Sequence, residues 1–255
     1  MAVAPNRRRR PGAASGPIEE PTQTELDECP FCVGREDRTP PETFRVGGEL
    51  AWTVRVVPNL YPAFARQEVV VHSPRHVRTF AELRDEEIAA VAVAWSARFD
   101  AAREESFPYV HALINEGRAA GSSLPHSHSQ LVWLREPPPA VAVERPEALA
   151  ELLAEPELQI AEHGGLRAVV HRAGRLPYET LIGGDPFPLE AALLLLRDVV
   201  TRLRTVEGPV PWNAWLHERH LELVPRLSVL AGVELGAGIY VNTVAPEDAA
   251  VALRT

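Results

Sequence analysis

Apolar positions along the chain fall into two runs with the same rhythm. In the first, an apolar strand from Val54 to Val57 meets a Pro58-Asn59 turn, and a second strand covers Glu68 to His72. A long helix follows, with Ile88, Val91, Trp95 and Phe99 on one face and Asp85 as its expected N-cap. Two more strands, Val110 to Asn115 and His126 to Leu134, flank a loop from Glu116 to Pro125. The second run repeats this order. Strands Arg167 to His171 and Glu179 to Ile182 precede a helix presenting Leu189, Leu193, Leu196, Val200 and Leu203, and strands Trp212 to His217 and His220 to Pro225 close it. The repetition reads as an internal duplication. Meander strands with one helix per unit predict an α+β fold, since a parallel sheet needs a crossover helix after every strand. The expected organisation is an extended arm over residues 1–27, a first half over 28–140 and a second half over 141–255, linked through the Pro-rich stretch Glu136 to Pro146.

Composition narrows the class. With 255 residues, 45% of them hydrophobic, the chain has the material for a substantial core. Its net charge of -9 argues against a general nucleic-acid binder, while leaving room for a local pocket that takes a small anion. No apolar run approaches the roughly 20 residues of a membrane helix, and Arg7 to Arg10 are followed by Pro and Gly instead of a signal-peptide core. A cytoplasmic location without membrane attachment is the expectation.

The candidate chemistry is concentrated in Asn115 to Gln130. On an extended strand His126, His128 and Gln130 project from one face, and Ser127 and Ser129 from the other. Gly117 and Gly121 let a phosphate approach the main chain beside the Ser123 hydroxyl. The two cysteines, Cys29 and Cys32, form one C-x-x-C, which excludes a disulfide framework. Their spacing suits a zinc knuckle, for which His76 and His126 are candidates as the remaining ligands. A redox reading of the pair fails on context, because the Pro- and charge-rich residues after Cys32 do not open an amphipathic helix.

Three motifs together, Cys-Pro-Phe-Cys at 29–32, Ser-Pro-Arg-His at 73–76 and Asn-x-Gly-x-x-x-Gly-x-Ser-x-Pro-His-x-His-x-Gln at 115–130, resemble the galactose-1-phosphate uridylyltransferases of the histidine-triad superfamily. The resemblance extends over residues 7 to about 242. It implies duplicated histidine-triad-like units, each a mostly antiparallel sheet packed with a long helix. It also implies a structural zinc on Cys29, Cys32, His76 and His126, and His128 as the nucleophile. The implied reaction is ping-pong transfer from UDP-glucose to a hexose 1-phosphate, through a covalent nucleotidyl-histidine. Gln130 is then expected at the transferring phosphoryl group, with Ser123 and Gly121 beside it, Asn59 and Asn115 near the nucleotide, and Arg7 and Arg10 toward the sugar phosphate. A homodimer is implied as well.

Some positions depart from that family's best-known pattern, His-Pro-His-Gly-Gln. Here it reads His-Ser-His-Ser-Gln, and Leu60 stands where an acidic residue often lies near the ribose. Relatives with His-x-His-Ser-Gln include ADP-sugar phosphorylases, so an ADP-sugar phosphorylase, or a dinucleotide phosphorylase or hydrolase using the same histidine, stands as the alternative. In the second half the His-x-His pair is gone. Glu144, His217, His220 and Glu222 are left there either as a second metal site or as a hydrogen-bonded polar strand. A third reading, a zinc-stabilised nucleic-acid module, is disfavoured by the acidic balance and the lack of a basic-aromatic stripe.

Overall fold

The valine-rich segments pair as their alternation requires. The computed structural model describes residues 2–3, 21–49 and 51–255; Arg7 and Arg10 lie outside them. The first half contributes strands β1 (Phe44–Gly47), β2 (Trp52–Pro58), β3 (Gln67–Val71), β4 (Tyr109–Glu116) and β5 (His128–Leu134). The second contributes β6 (Gln159–His163), β7 (Leu166–Val170), β8 (Thr180–Gly183), β9 (Trp212–Leu216) and β10 (His220–Pro225). All ten make one sheet in the order β1-β2-β3-β5-β4-β9-β10-β8-β7-β6. Neighbouring strands are antiparallel throughout. Read inward from either edge, each half has the order first, second, third, fifth, fourth, so the fold is the duplicated α+β arrangement that the sequence repeat predicts. The halves meet where β4 pairs with β9, Asn115 opposite Asn213.

The long helices α2 (Asp85–Glu104) and α4 (Leu189–Glu207) cover one face of this sheet. A shorter helix, α1 (Gln23–Glu28), precedes the cysteines, and α3 (Pro146–Leu153) lies against β7 and β8. Ile88, Val91 and Trp95 of α2 meet Val54, Val56, Val70, Leu131 and Trp133, while Leu193, Leu196, Val200 and Leu203 of α4 meet Ile182, Leu221 and Leu223. Each such buried side chain contributes about 1.5–3 kcal/mol relative to its exposed state. On the opposite face of the first half, Val57, Val69 and Val71 pack with Cys29, Phe31 and Trp52. The period of two along β3 thus splits Val70 from Val69 and Val71, dividing a core face from a site face.

Helix α2 is capped one residue earlier than expected and begins at Asp85 itself. Arg84, not Asp85, is at the N-cap, and its N–H donates to the Glu87 carboxylate at 2.8 Å. The same carboxylate accepts from Ser73 Oγ at 2.6 Å and from Arg75, so the helix start is tied to the Ser-Pro-Arg-His turn. Beneath the sheet, Arg98 of α2 makes a two-pronged ion pair with Glu68 of β3 at 3.0 and 2.9 Å, both residues buried. Among the described residues no helix is long and apolar enough to cross a membrane.

Candidate active site

Helix α1 delivers the first cysteine. Thr22 caps it, and the Cys29 N–H closes its last turn on Glu25. The Val33 N–H then donates to the carbonyl of Pro74, fastening the cysteine loop to the 73–76 turn. Cys29 Sγ lies 3.3 Å from His126 Nδ1, and Cys32 Sγ lies 3.3 Å from His76 Nδ1 and 3.8 Å from His126 Nδ1. One ligand atom from each of the four residues falls within 4.8 Å of the others, so the group is able to hold a metal ion. The outer nitrogens support that orientation: His126 Nε2 donates to the Ser73 carbonyl at 2.9 Å, and His76 Nε2 to Glu25 at 2.9 Å. Both rings therefore turn Nδ1 toward the sulfurs, an arrangement usual for metal-bound imidazoles. Burial lowers His126 to about 4, while burial and the neighbouring Cys29 push the Cys32 thiol up to about 12. A bound cation would offset that second cost by stabilising the thiolate.

His128 opens β5 two residues further on, 7% exposed and opposite Val71. Its Nδ1 donates to the carbonyl oxygen of His126 at 2.7 Å, and the Phe31 ring meets it edge-on at 5.5 Å. Burial lowers its pKa, with the His126 carbonyl acting in the opposite sense. The ring is thus kept neutral, with Nδ1 protonated and the lone pair on Nε2. His128 lines a cavity of about 910 Å³, together with His126, Ser123, Asn115, Arg118 and Pro211 among others.

The other expected residues divide between this cavity and its surroundings. Ser123 is exposed at the cavity wall. Gly121 adopts the left-handed φ of 93° that a side chain would resist, and its amide is engaged with the Arg118 carbonyl at 3.0 Å. Asn115 accepts through Oδ1 from Asn213 Nδ2 at 2.8 Å. Gln130 lies along the same face of β5 but outside the cavity lining, its Oε1 accepting from Gln67 Nε2 at 2.6 Å. Asn59 also lies outside the lining and accepts from the Tyr61 N–H at 2.9 Å.

Known proteins resemble this chain in sequence and fold. Residues 60–138 match the N-terminal domain of galactose-1-phosphate uridyl transferase. Over its whole length the chain is 27% identical to an ADP-glucose phosphorylase of Arabidopsis thaliana, covering 89% of that protein. The structure of an ADP-glucose phosphorylase from Arabidopsis thaliana with bound ADP-glucose superposes with a TM-score of 0.81 at 26% identity, over 99% of this chain and 94% of the other. A galt-like protein of the same plant gives 0.80 at 28%, over 89% and 91%. The chain is thus similar to proteins of the galactose-1-phosphate uridylyltransferase family. These likenesses make it an enzyme of the nucleotidyltransferase and phosphorylase type.

The second half gathers a polar cluster of its own. Glu144, His217 and His220 bring one ligand atom each within 4.8 Å of one another. The carboxylate of Glu144 abuts His217 Nδ1, neither nitrogen of that buried ring has a well-directed hydrogen bond, and His220 Nδ1 has no partner. Glu222 is not brought into the group: one of its oxygens is held by Arg175, and the other lies 3.5 Å from His217 Nε2. Of the four residues expected either as a second metal site or as a polar strand, three are gathered and Glu222 is diverted.

Several residues around this site escaped the sequence reading. Glu25 orients His76, Gln67 holds Gln130, and Asn213 binds both Asn115 and the Ala120 carbonyl. On the far face Ser127 Oγ meets His72 Nδ1 at 2.9 Å and Ser129 Oγ accepts from Trp95 Nε1 at 2.9 Å. The strict alternation of His126 to Gln130 was the available signal for the two serines. Nothing local marks Glu25 or Asn213, which reach the site only through tertiary pairing.

Proposed function

We propose that the protein is a phosphorylase of nucleoside-diphosphate sugars of the ADP-glucose kind, working through a nucleotidyl group carried on His128. In the first step the Nε2 lone pair attacks the α-phosphorus, the bond to the bridging oxygen breaks, and sugar 1-phosphate departs with that electron pair. Nδ1 stays protonated on the His126 carbonyl, so the ring carries the positive charge of the intermediate. In the second step an oxygen of inorganic phosphate attacks the same phosphorus, the P–Nε2 bond breaks and the neutral imidazole returns. No proton has to leave His128 in either direction.

The observation that carries this reading is the 2.7 Å bond from His128 Nδ1 to the His126 carbonyl beside a cavity able to take a nucleotide. The His-Ser-His-Ser-Gln pattern and the full-length likeness to an ADP-glucose phosphorylase favour the adenosine donor and the phosphate acceptor. A second reading, transfer from UDP-glucose to a hexose 1-phosphate, is supported by the match over residues 60–138. In both, Gln130 and Ser123 are assigned to the non-bridging oxygens of the transferring phosphoryl group, and Asn59 and Asn115 to the nucleotide. Gly121 serves through the turn it permits. Arg7 and Arg10 are assigned to the sugar phosphate.

Cys29, Cys32, His76 and His126 would hold a zinc ion, which supplies cohesion to the loops around His128. Glu144, His217 and His220 would hold a second metal ion, a reading supported by their close approach and by His220 Nδ1, which has no hydrogen-bond partner among the described residues. Exposed Val229, Val233, Leu235 and Ile239 support a homodimer contact near the chain's end.

The deciding experiment incubates the protein with α-labelled ADP-glucose or UDP-glucose and then discharges the label with phosphate, galactose 1-phosphate or water. Label from ADP-glucose released by phosphate is the expected result. Failure of both donors to label the protein would remove the covalent mechanism.

A further inference from the structure

The cavity beside His128 has three arginines in its wall, Arg78, Arg118 and Arg204, along with Glu82 and Glu116. Two of the three already face acids: Arg78 pairs with Glu25 at 3.1 Å, and Arg204 lies 3.9 Å from Glu82. Glu116 is occupied in turn, accepting from Thr79 Oγ1 and the Phe80 N–H at 2.7 Å each, and burial raises its pKa. Arg118 differs. It is exposed, and among the described residues it makes no side-chain hydrogen bond or ion pair.

Its backbone, by contrast, is held firmly. Arg118 opens a single 3-10 turn, 118–120, between Gly117 at φ 84° and Gly121 at φ 93°. The Gly117 carbonyl accepts from Ala120 and Ser122, the Arg118 carbonyl accepts from Gly121, and Asn213 binds the Ala120 carbonyl at 2.7 Å. A Cβ on Gly117 would meet Pro211 at 3.0 Å, so the turn is pressed against the second half. The loop thus presents a fixed main chain and an uncommitted guanidinium, in the cavity wall it shares with Ser123 and His128.

A ping-pong reaction at His128 needs a cation in such a place. The phosphate of the departing sugar 1-phosphate and that of the incoming acceptor must occupy one position, because the same kind of bond breaks and re-forms there. That group is dianionic once free, and a planar guanidinium matches it with paired N–H donors. We propose that Arg118 binds this second, non-transferring phosphate and so sets the enzyme's preference for a phosphate-bearing acceptor over water. The proposal rests on nucleotidyl transfer through His128.

The test compares wild type, Arg118→Ala and Arg118→Lys after labelling from ADP-glucose or UDP-glucose. Inorganic phosphate and glucose 1-phosphate serve as discharging agents, and AMP or UMP, which lack the second phosphate, as competing ligands. Arg118→Ala should slow discharge by both agents roughly ten- to a hundredfold, the scale of one charge-assisted hydrogen-bonding pair. Discharge by water and the affinity for the monophosphates should stay within about twofold of wild type, and Arg118→Lys should recover part of the lost rate. Unchanged discharge by both agents would overturn the proposal, as would a loss with glucose 1-phosphate alone, which would point to the sugar. An equal loss of monophosphate affinity would overturn it too. A wild-type protein that takes no label defeats the nucleotidyl-transfer reading itself, an outcome separate from a label that discharges equally fast from all three proteins.

Discussion

His128 Nδ1 lies 2.7 Å from the main-chain oxygen of His126, so the residue that turns its own ring toward the cysteines also fixes the tautomer of its neighbour but one. The candidate metal site and the proposed nucleophile are coupled through three consecutive residues and not through a shared ligand. The metal's proposed part is positional, and the two histidines are expected to fail in different ways when replaced.

His128→Ala should abolish labelling by the nucleotide sugar while leaving the zinc content and thermal midpoint close to wild type. Retained transfer at more than about a thousandth of the wild-type rate, well above what loss of a covalent nucleophile allows, would remove the assignment.

Glu25 accepts from the outer nitrogen of His76, and such partners typically alter metal affinity ten- to a hundredfold. Glu25→Gln is therefore expected to weaken zinc binding by about that factor in competition with a chelator, and His126→Ala to lose zinc and stability together. Identical chelator curves for Glu25→Gln and wild type would assign Glu25 to surface packing alone.

The rate of label formation should hold steady as pH falls through the ordinary histidine value. Burial lowers the pKa of His128, so the reactive neutral ring persists below about pH 6.5 and is lost only as pH falls through the depressed value. A single-turnover pH profile whose acid limb has its midpoint at 6.5 or above would contradict this.

Sequence pattern carried most of the fold and the central pair of histidines, for identifiable reasons. Ile88, Val91 and Trp95 repeat on a helical period and are fully buried, and His126 to Gln130 alternate about a strand that does split them between faces. The strands it missed in this ten-stranded sheet, β1 and β6, are its two edges, short and carrying polar or charged residues, which is how edges discourage further pairing. The cap of α2 shifted by one because Glu87 serves it from within the helix. Asn213, ninety-eight residues from Asn115, had no local signature at all.

The buried pair of Glu68 and Arg98 predicts an asymmetric response to mutation. Glu68→Leu alone strands a guanidinium in the core and should cost about 3–5 kcal/mol in urea unfolding. The double variant Glu68→Leu with Arg98→Met should recover most of that loss. A double variant as unstable as the single one would mean that packing, not charge, sets the cost.

Asn213, at the pairing of β4 with β9, binds Asn115 on β4 and the Ala120 carbonyl in the loop that follows it. The copy that lacks His-x-His is in this way the custodian of the copy that has it. Removing it would leave β4 with an open edge and the loop without its clasp. A change at Asn213 in the second half is therefore felt at the 118–120 turn of the first.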